Sequence, residues 1–125
     1  MPPKRKLIAV IDDDESVRVA TTKLVRLHGF FAQAFSSAED FLRSPVVNDT
    51  ACLITDVKLP GKSGVDLQSD LIALGKNVPI IFITAFPEER SRARALQAGA
   101  IAFLTKPFDG QVLINRLREA LDKTR

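Results

Sequence analysis

At 125 residues and a net charge of +3 at pH 7, the chain has room for one domain and no second. That length buries about two-thirds of the unfolded surface, so no disulfide or metal staple is needed, and the lone cysteine, Cys52, fits a reducing compartment. The basic residues are dispersed among acidic ones without interleaved aromatics, which argues against direct nucleic-acid binding. The short apolar run in "MPPKRKLIAVIDDD" is neither a signal peptide nor a membrane span, so a soluble cytoplasmic protein with no membrane contact is expected.

In chain order, "KLIAVID" reads as a buried strand, a continuous apolar run ending in acid. "SVRVATTKLVRLHG" then carries apolar residues at helical spacing, Val17, Ala20, Leu24 and Leu27, and Gly29 closes it as a C-cap does. His28, the only histidine, sits at a helix end just before a glycine and reads as a C-terminal capping residue, neither a catalytic group nor a phosphohistidine donor. "FFAQAF" is a second strand, and Ser36 with Glu39 reads as a capping box opening the short helix "SAEDFLRS". "TACLITD" is a third strand, with Cys52 as a small hydrophobe inside it. "VDLQSDLIALG" is a helix that again stops at a glycine.

"VPIIFIT" is the most apolar strand, and Pro87 suits the first turn of the helix that follows. Arg90, Arg92 and Arg94 fall together on that helix, either as a solvated face or as partners for acidic residues on a second copy of the chain. "AIAFLT" is a fifth strand. "DGQVLINRLREALDK" is a last amphipathic helix with Val112, Leu113, Leu117, Ala120 and Leu121 inward.

Five strand-then-helix units in a row predict an α/β domain, a parallel sheet between two layers of helices. Strands buried on both faces read as unbroken apolar runs, as the first, third and fourth do. The polar residues gather where strands stop: Asp12 and Asp13, Asp56, Thr84 and Lys106. In open α/β sheets the ligand crevice lies outside the carboxyl ends, where strand order reverses. With the order 2-1-3-4-5, three carboxylates, a hydroxyl and an ammonium converge there. Clustered carboxylates need positive charge between them, and a hard divalent cation suits all-oxygen ligands. Asp14 and Glu15, by contrast, read as acids favoured at a helix N-terminus.

The stretch "ITDVKLPGKSG" also offers Gly61-Lys62-Ser63, the end of a phosphate-binding loop. That loop needs G-x-x-x-x-G-K-[ST], and its first glycine falls on Asp56. A carboxylate there removes the tight turn and repels phosphate. Asp56 is better read as a nucleophile toward phosphorus, with a metal and Lys106 neutralising the developing charge. Pro60 and Gly64 then serve the turn between strand and helix.

"IDDDESVR", "LITDVKLPGKSGVDL", "IIFITAF" and "AFLTKPFD", in this order and spacing, resemble the receiver domain of bacterial two-component response regulators. The likeness runs from about Leu7 to Leu121, within a single domain spanning 1–125. It implies a flavodoxin-like, CheY-like fold and a phosphoacceptor signalling switch. Asp56 would accept a phosphoryl group from a phosphohistidine of a sensor histidine kinase. Asp13, Asp56, the Lys58 main-chain carbonyl and, through water, Asp12 would hold Mg²⁺ or Mn²⁺. Lys106, Thr84 and the Ala85 main chain would contact the phosphoryl group. Thr84 and Phe103 would form the switch, and the Lys106–Pro107 peptide would be cis, which proline permits.

The readout face would be the fourth helix, fifth strand and fifth helix, where a phosphorylation-dependent homodimer would form. Lys58 and Phe86 occupy the mouth of the site, where they would tune access. The "KPF" ending most resembles FixJ-like receivers, which precede a DNA-binding domain and act in transcription regulation. Such a domain catalyses only its own phosphorylation and dephosphorylation. The alternative, a phosphatase with an aspartyl-phosphate intermediate, needs D-x-D, and its second acid is here Lys58. A flavin-binding domain of this topology needs a phosphate loop where this chain has an acidic block.

Overall fold

The computed structural model of the protein describes residues 6–123. Strands β1 (Leu7–Ile11), β2 (Phe31–Phe35), β3 (Thr50–Asp56), β4 (Ile80–Thr84) and β5 (Ala102–Thr105) form one parallel sheet in the order β2-β1-β3-β4-β5. Between them run α1 (Glu15–Leu27), α2 (Ala38–Arg43), α3 (Gly64–Ala73), α4 (Glu89–Gln97) and α5 (Gly110–Lys123), with a 3₁₀ turn over Pro45–Asp49. The doubly wound architecture is therefore as expected.

The sheet separates two cores. On one face Ile8, Val10, Cys52, Ile54, Ile81 and Ile83 meet Val25 of α1 and Leu113, Ile114, Leu117 and Ala120 of α5. On the other, Ala9, Ile11, Leu53 and Phe82 meet α2 through Phe41, α3 through Leu67 and Leu71, and α4 through Ala95. The five residues of β4 are all buried, which is why its run has no polar alternation. Burial pushes the Cys52 thiol up to about 12 and leaves it unreactive.

Helix faces differ from the sequence pattern in two places. In α1 the buried positions are Thr21, Thr22 and Val25, while Ala20 is exposed and Leu27 is 75% exposed. Threonine is tolerated inside because Thr22 Oγ1 donates to the Arg18 carbonyl 2.7 Å away. In α5 it is Ile114 that is buried, and Val112 faces out.

Two helix starts also shift. Ser37, not Ser36, caps α2, accepting from the Asp40 amide at 3.1 Å. The carboxylate of Glu39 is used elsewhere, as described below. Pro87 lies outside the first turn of α4, one residue ahead of the cap, Glu88. At the end of α1, Gly29 adopts φ +90° and the His28 ring nitrogen Nδ1 lies 3.0 Å from the Leu24 carbonyl, a C-terminal capping contact.

Candidate functional site

The carboxyl edge of β1 and β3 lies at the point where strand order reverses. Asp12, just past β1, is fully buried. Its amide donates to the Phe35 carbonyl at 3.2 Å, and its own carbonyl accepts from Arg18 Nη1 at 2.8 Å. Its carboxylate accepts from the Asp14 amide at 2.9 Å and from Lys106 Nζ at 2.9 Å. Asp13 is exposed beside it. Asp14 caps α1, accepting from the Val17 amide at 3.2 Å, and so stands apart from the cluster.

Asp56 ends β3 with only 6% of its surface exposed. Oδ1 accepts from the Lys58 amide at 3.1 Å and Oδ2 from Lys106 Nζ at 2.8 Å. Carboxylate oxygens of Asp12, Asp13 and Asp56 all lie within 4.8 Å of one another. Three acids against one ammonium leave an excess of negative charge, and hard oxygen donors at this spacing fit a divalent cation. Burial raises the carboxyl of Asp12 above the ordinary aspartate range, with the charge of Asp56 adding to it and Lys106 and the Asp14 amide opposing. Burial pulls Lys106 the other way, but hydrogen bonds and charge from Asp12 and Asp56 outweigh it, so the ammonium is held more tightly protonated than a free lysine.

The β4 and β5 ends complete the crevice. Ile83 pairs with Asp56 across the sheet, and Thr84 follows it, 1% exposed. The Thr84 hydroxyl oxygen accepts from the Phe86 amide at 3.2 Å, and the Thr84 carbonyl from the Lys106 amide at 2.8 Å. The Lys106–Pro107 peptide is cis. Ala85 is exposed at the rim. Phe86 is 69% exposed; Lys58 Nζ lies 5.4 Å from its ring centroid and 3.8 Å from Glu88 Oε1, bridging the β3–α3 and β4–α4 loops.

Phe103 is half-buried, its ring 6.0 Å from that of Phe82. Two of the arginines noted on α4 pair within the chain: Arg92 with Glu89 at 3.5 Å, and Arg94 with Ser69 at 3.1 Å and Asp66 at 3.7 Å.

Three supporting residues escape a reading by spacing. Arg18 grips the Asp12 carbonyl from one turn into α1. Glu39 reaches from α2 to the β3–α3 loop, where it accepts from the Lys62 amide at 2.9 Å. Gln68, 3% exposed, ties α3 to the Ala95 carbonyl of α4 at 3.1 Å. Each acts on a main-chain group, so no partner side chain marks it in sequence.

A doubly wound parallel sheet with a buried acid, a lysine and an acidic pair at its switch point makes an α/β domain whose charged crevice suits a divalent cation and an anionic group. The chain belongs to the response regulator receiver domain family, whose model matches residues 8–118. It is a phosphoacceptor signalling switch of FixJ-like type, and nothing supports the phosphatase alternative. Nodulation protein W of Bradyrhizobium diazoefficiens is 40% identical over 121 residues, which is 97% of this chain and 53% of that protein. Response regulator protein TodT of Pseudomonas putida is 40% identical with the same coverage of both. The crystal structure of FixJ-N superposes with a TM-score of 0.84 at 32% identity, covering 96% of each chain. The chain thus spans about half the length of the curated relatives it matches. No helix among the described residues is long and apolar enough to cross a membrane.

Proposed function

We propose that Asp56 is the phosphoacceptor. The observation that carries this is its placement: one carboxylate oxygen on Lys106 Nζ at 2.8 Å, with Asp12 and Asp13 oxygens within 4.8 Å. An Asp56 oxygen attacks the phosphorus of a phosphohistidine on a sensor histidine kinase. The P–O bond forms as the P–N bond breaks, and the departing imidazole nitrogen keeps the electron pair. Asp13, Asp56, the Lys58 carbonyl and, through water, Asp12 are the groups that would hold a divalent ion, Mg²⁺ or Mn²⁺. When bound, that ion neutralises charge on the phosphoryl oxygens.

Lys106 is already held between the acids and pairs with a phosphoryl oxygen as charge builds. The Thr84 hydroxyl accepts from Phe86, so its proton is available to another phosphoryl oxygen, and the Ala85 main chain lies beside it. Phosphorylation brings about −1.5 to −2 charges and three acceptor oxygens. Thr84 moves toward them and Phe103 follows inward, changing the face of α4, β5 and α5. Lys58 and Phe86 at the rim restrict access of water and donors. The chain turns over nothing but its own phosphoryl group, in the cytoplasm.

The altered α4–β5–α5 face forms a homodimer or acts on an output domain. The relatives are about twice this length, and another, 34% identical over 122 residues, is the transcriptional regulatory protein FixJ of Azorhizobium caulinodans; that likeness supports transcription regulation, through a DNA-binding output domain, as the response this switch controls.

The test is the intact mass after incubation with acetyl phosphate, with and without Mg²⁺. One phosphoryl group should be gained only with metal and only where Asp56 is present. Gain by Asp56→Ala, or none from either acetyl phosphate or a phosphohistidine kinase, sinks the assignment.

A further inference from the structure

We infer that Glu39, on the second helix, is a positioning residue for the phosphorylation site: it clamps the β3–α3 loop and so sets the main chain of Lys58. This rests on the reading of Asp56 given above.

Glu39 Oε2 accepts the Lys62 amide hydrogen at 2.9 Å, joining residues 23 apart in sequence. Gly61, one residue earlier, adopts φ +75°, and a Cβ there would lie 2.5 Å from Glu39 Oε2. The missing side chain is therefore what lets the carboxylate reach the amide, and glycine is also what that backbone conformation favours. The loop's other anchors lie close by. The Lys58 amide donates to Asp56 Oδ1 at 3.1 Å, the Gly64 amide donates to the Val57 carbonyl at 2.9 Å, and Lys62 Nζ pairs with Asp70 at 2.6 Å. Between these points runs the Lys58 carbonyl. Without Glu39 the stretch from Lys58 to Ser63 keeps its ends and loses the hold from α2 on its middle.

Glu39 Oε1 is buried without a hydrogen-bond partner. The Lys62 amide bond foremost holds the carboxyl below the usual glutamate range, so the clamp stays ionised. Groups that orient a ligand from behind typically change metal affinity by roughly 10–100-fold when removed.

The chain has no Trp or Tyr, so the readout is nuclear magnetic resonance on the 125-residue protein: amide shifts during a Mg²⁺ titration, and hydrogen exchange at Lys62. In Glu39→Ala, the Lys62 amide should exchange at least about tenfold faster and Mg²⁺ should bind about tenfold more weakly. Glu39→Gln keeps an acceptor oxygen and should recover most of both. Glu39→Asp, which withdraws the charge by one methylene, should weaken Mg²⁺ binding too, and it decides the matter if the alanine variant does not fold.

Mg²⁺ affinity within about twofold of wild type in the loosened variants, with Lys62 unprotected, overturns the role of Glu39 alone. Asp13→Asn separates this from the wider reading. If wild type shows no Mg²⁺ response and Asp13→Asn is indistinguishable from it, the phosphoacceptor assignment falls and takes this proposal with it.

Discussion

Gly64 lies so close to the main-chain carbonyl of Asp56 that a single added methyl carbon would collide with it. The same methyl would sit 3.2 Å from a ring carbon of Phe82, which in turn packs on Phe103. Backbone cannot yield as a flexible side chain does, so Gly64→Ala must push α3 away from the β3 end. Overpacking of this kind costs about 1–3 kcal/mol. Thermal unfolding should show the loss, and phosphoryl gain from acetyl phosphate should slow because Asp56 is displaced. An alanine variant with wild-type stability and phosphorylation would mean the contact is slack.

Lys106 is the only cation among the described residues that meets both Asp12 and Asp56, at 2.9 and 2.8 Å. Lys106→Met leaves two buried acids without it, at a cost of about 1–3 kcal/mol in metal-free buffer. The pH dependence follows from the directions of the shifts. Lys106 titrates above its ordinary 10.5 in the fold, so its contribution is complete below that value and fades as pH rises through the higher one. Asp12 titrates above its ordinary 3.8, so its ionisation costs stability above that value, and protonation removes the cost as pH falls back through the raised one. The deficit of the variant should therefore be widest near neutrality and narrow toward both extremes. Urea titrations across pH test this, and a deficit that grows in acid contradicts it. Added Mg²⁺ should stabilise the variant more than the wild type.

Much of this was legible in sequence because each strand ends in a chemically distinctive residue and the sheet gathers strand ends at one edge. Asp12, Asp13, Asp56, Thr84 and Lys106 needed only the order of strands to be brought together. The internal face of α1 was not legible, since two of its buried residues are Thr21 and Thr22, whose polarity disguises them. Glu39 looked like half of a capping box because Ser36 stands three residues before it. The true cap is one residue later, and what claims Glu39 is a main-chain amide 23 residues away. Spacing rules see neighbours along an element; they do not see a side chain reaching a distant peptide group.

β2 is an edge strand of uncharged sequence, "FAQAF", with Phe31 52% exposed, a combination that invites pairing with another chain. Arg26 Nη2 covers the Ala32 carbonyl of that strand at 2.7 Å. Arg26→Ala should leave unfolding nearly unchanged and raise self-association, seen as concentration-dependent light scattering. A monodisperse variant at high concentration would show that Arg26 does not guard the edge.

α4 is held by little. Ala95 is its buried residue, and its side-chain ties to α3 beyond Gln68 run through exposed Arg94, a kind of contact worth little in water. Gln68 is the exception, buried and donating to the Ala95 carbonyl, which also accepts from the Ala100 amide at 3.0 Å. Gln68→Leu therefore removes one bond without orphaning the carbonyl, a loss of about 1 kcal/mol. Because that bond joins α3 to α4 and nothing else, the loss should appear as faster hydrogen exchange confined to α4, by about fivefold, with β3 and β4 protection unchanged. Since α4 forms part of the proposed readout face, the same variant should show α4 amide shifts displaced toward those of the phosphorylated wild type. Uniformly faster exchange through the sheet would instead make Gln68 an ordinary core residue.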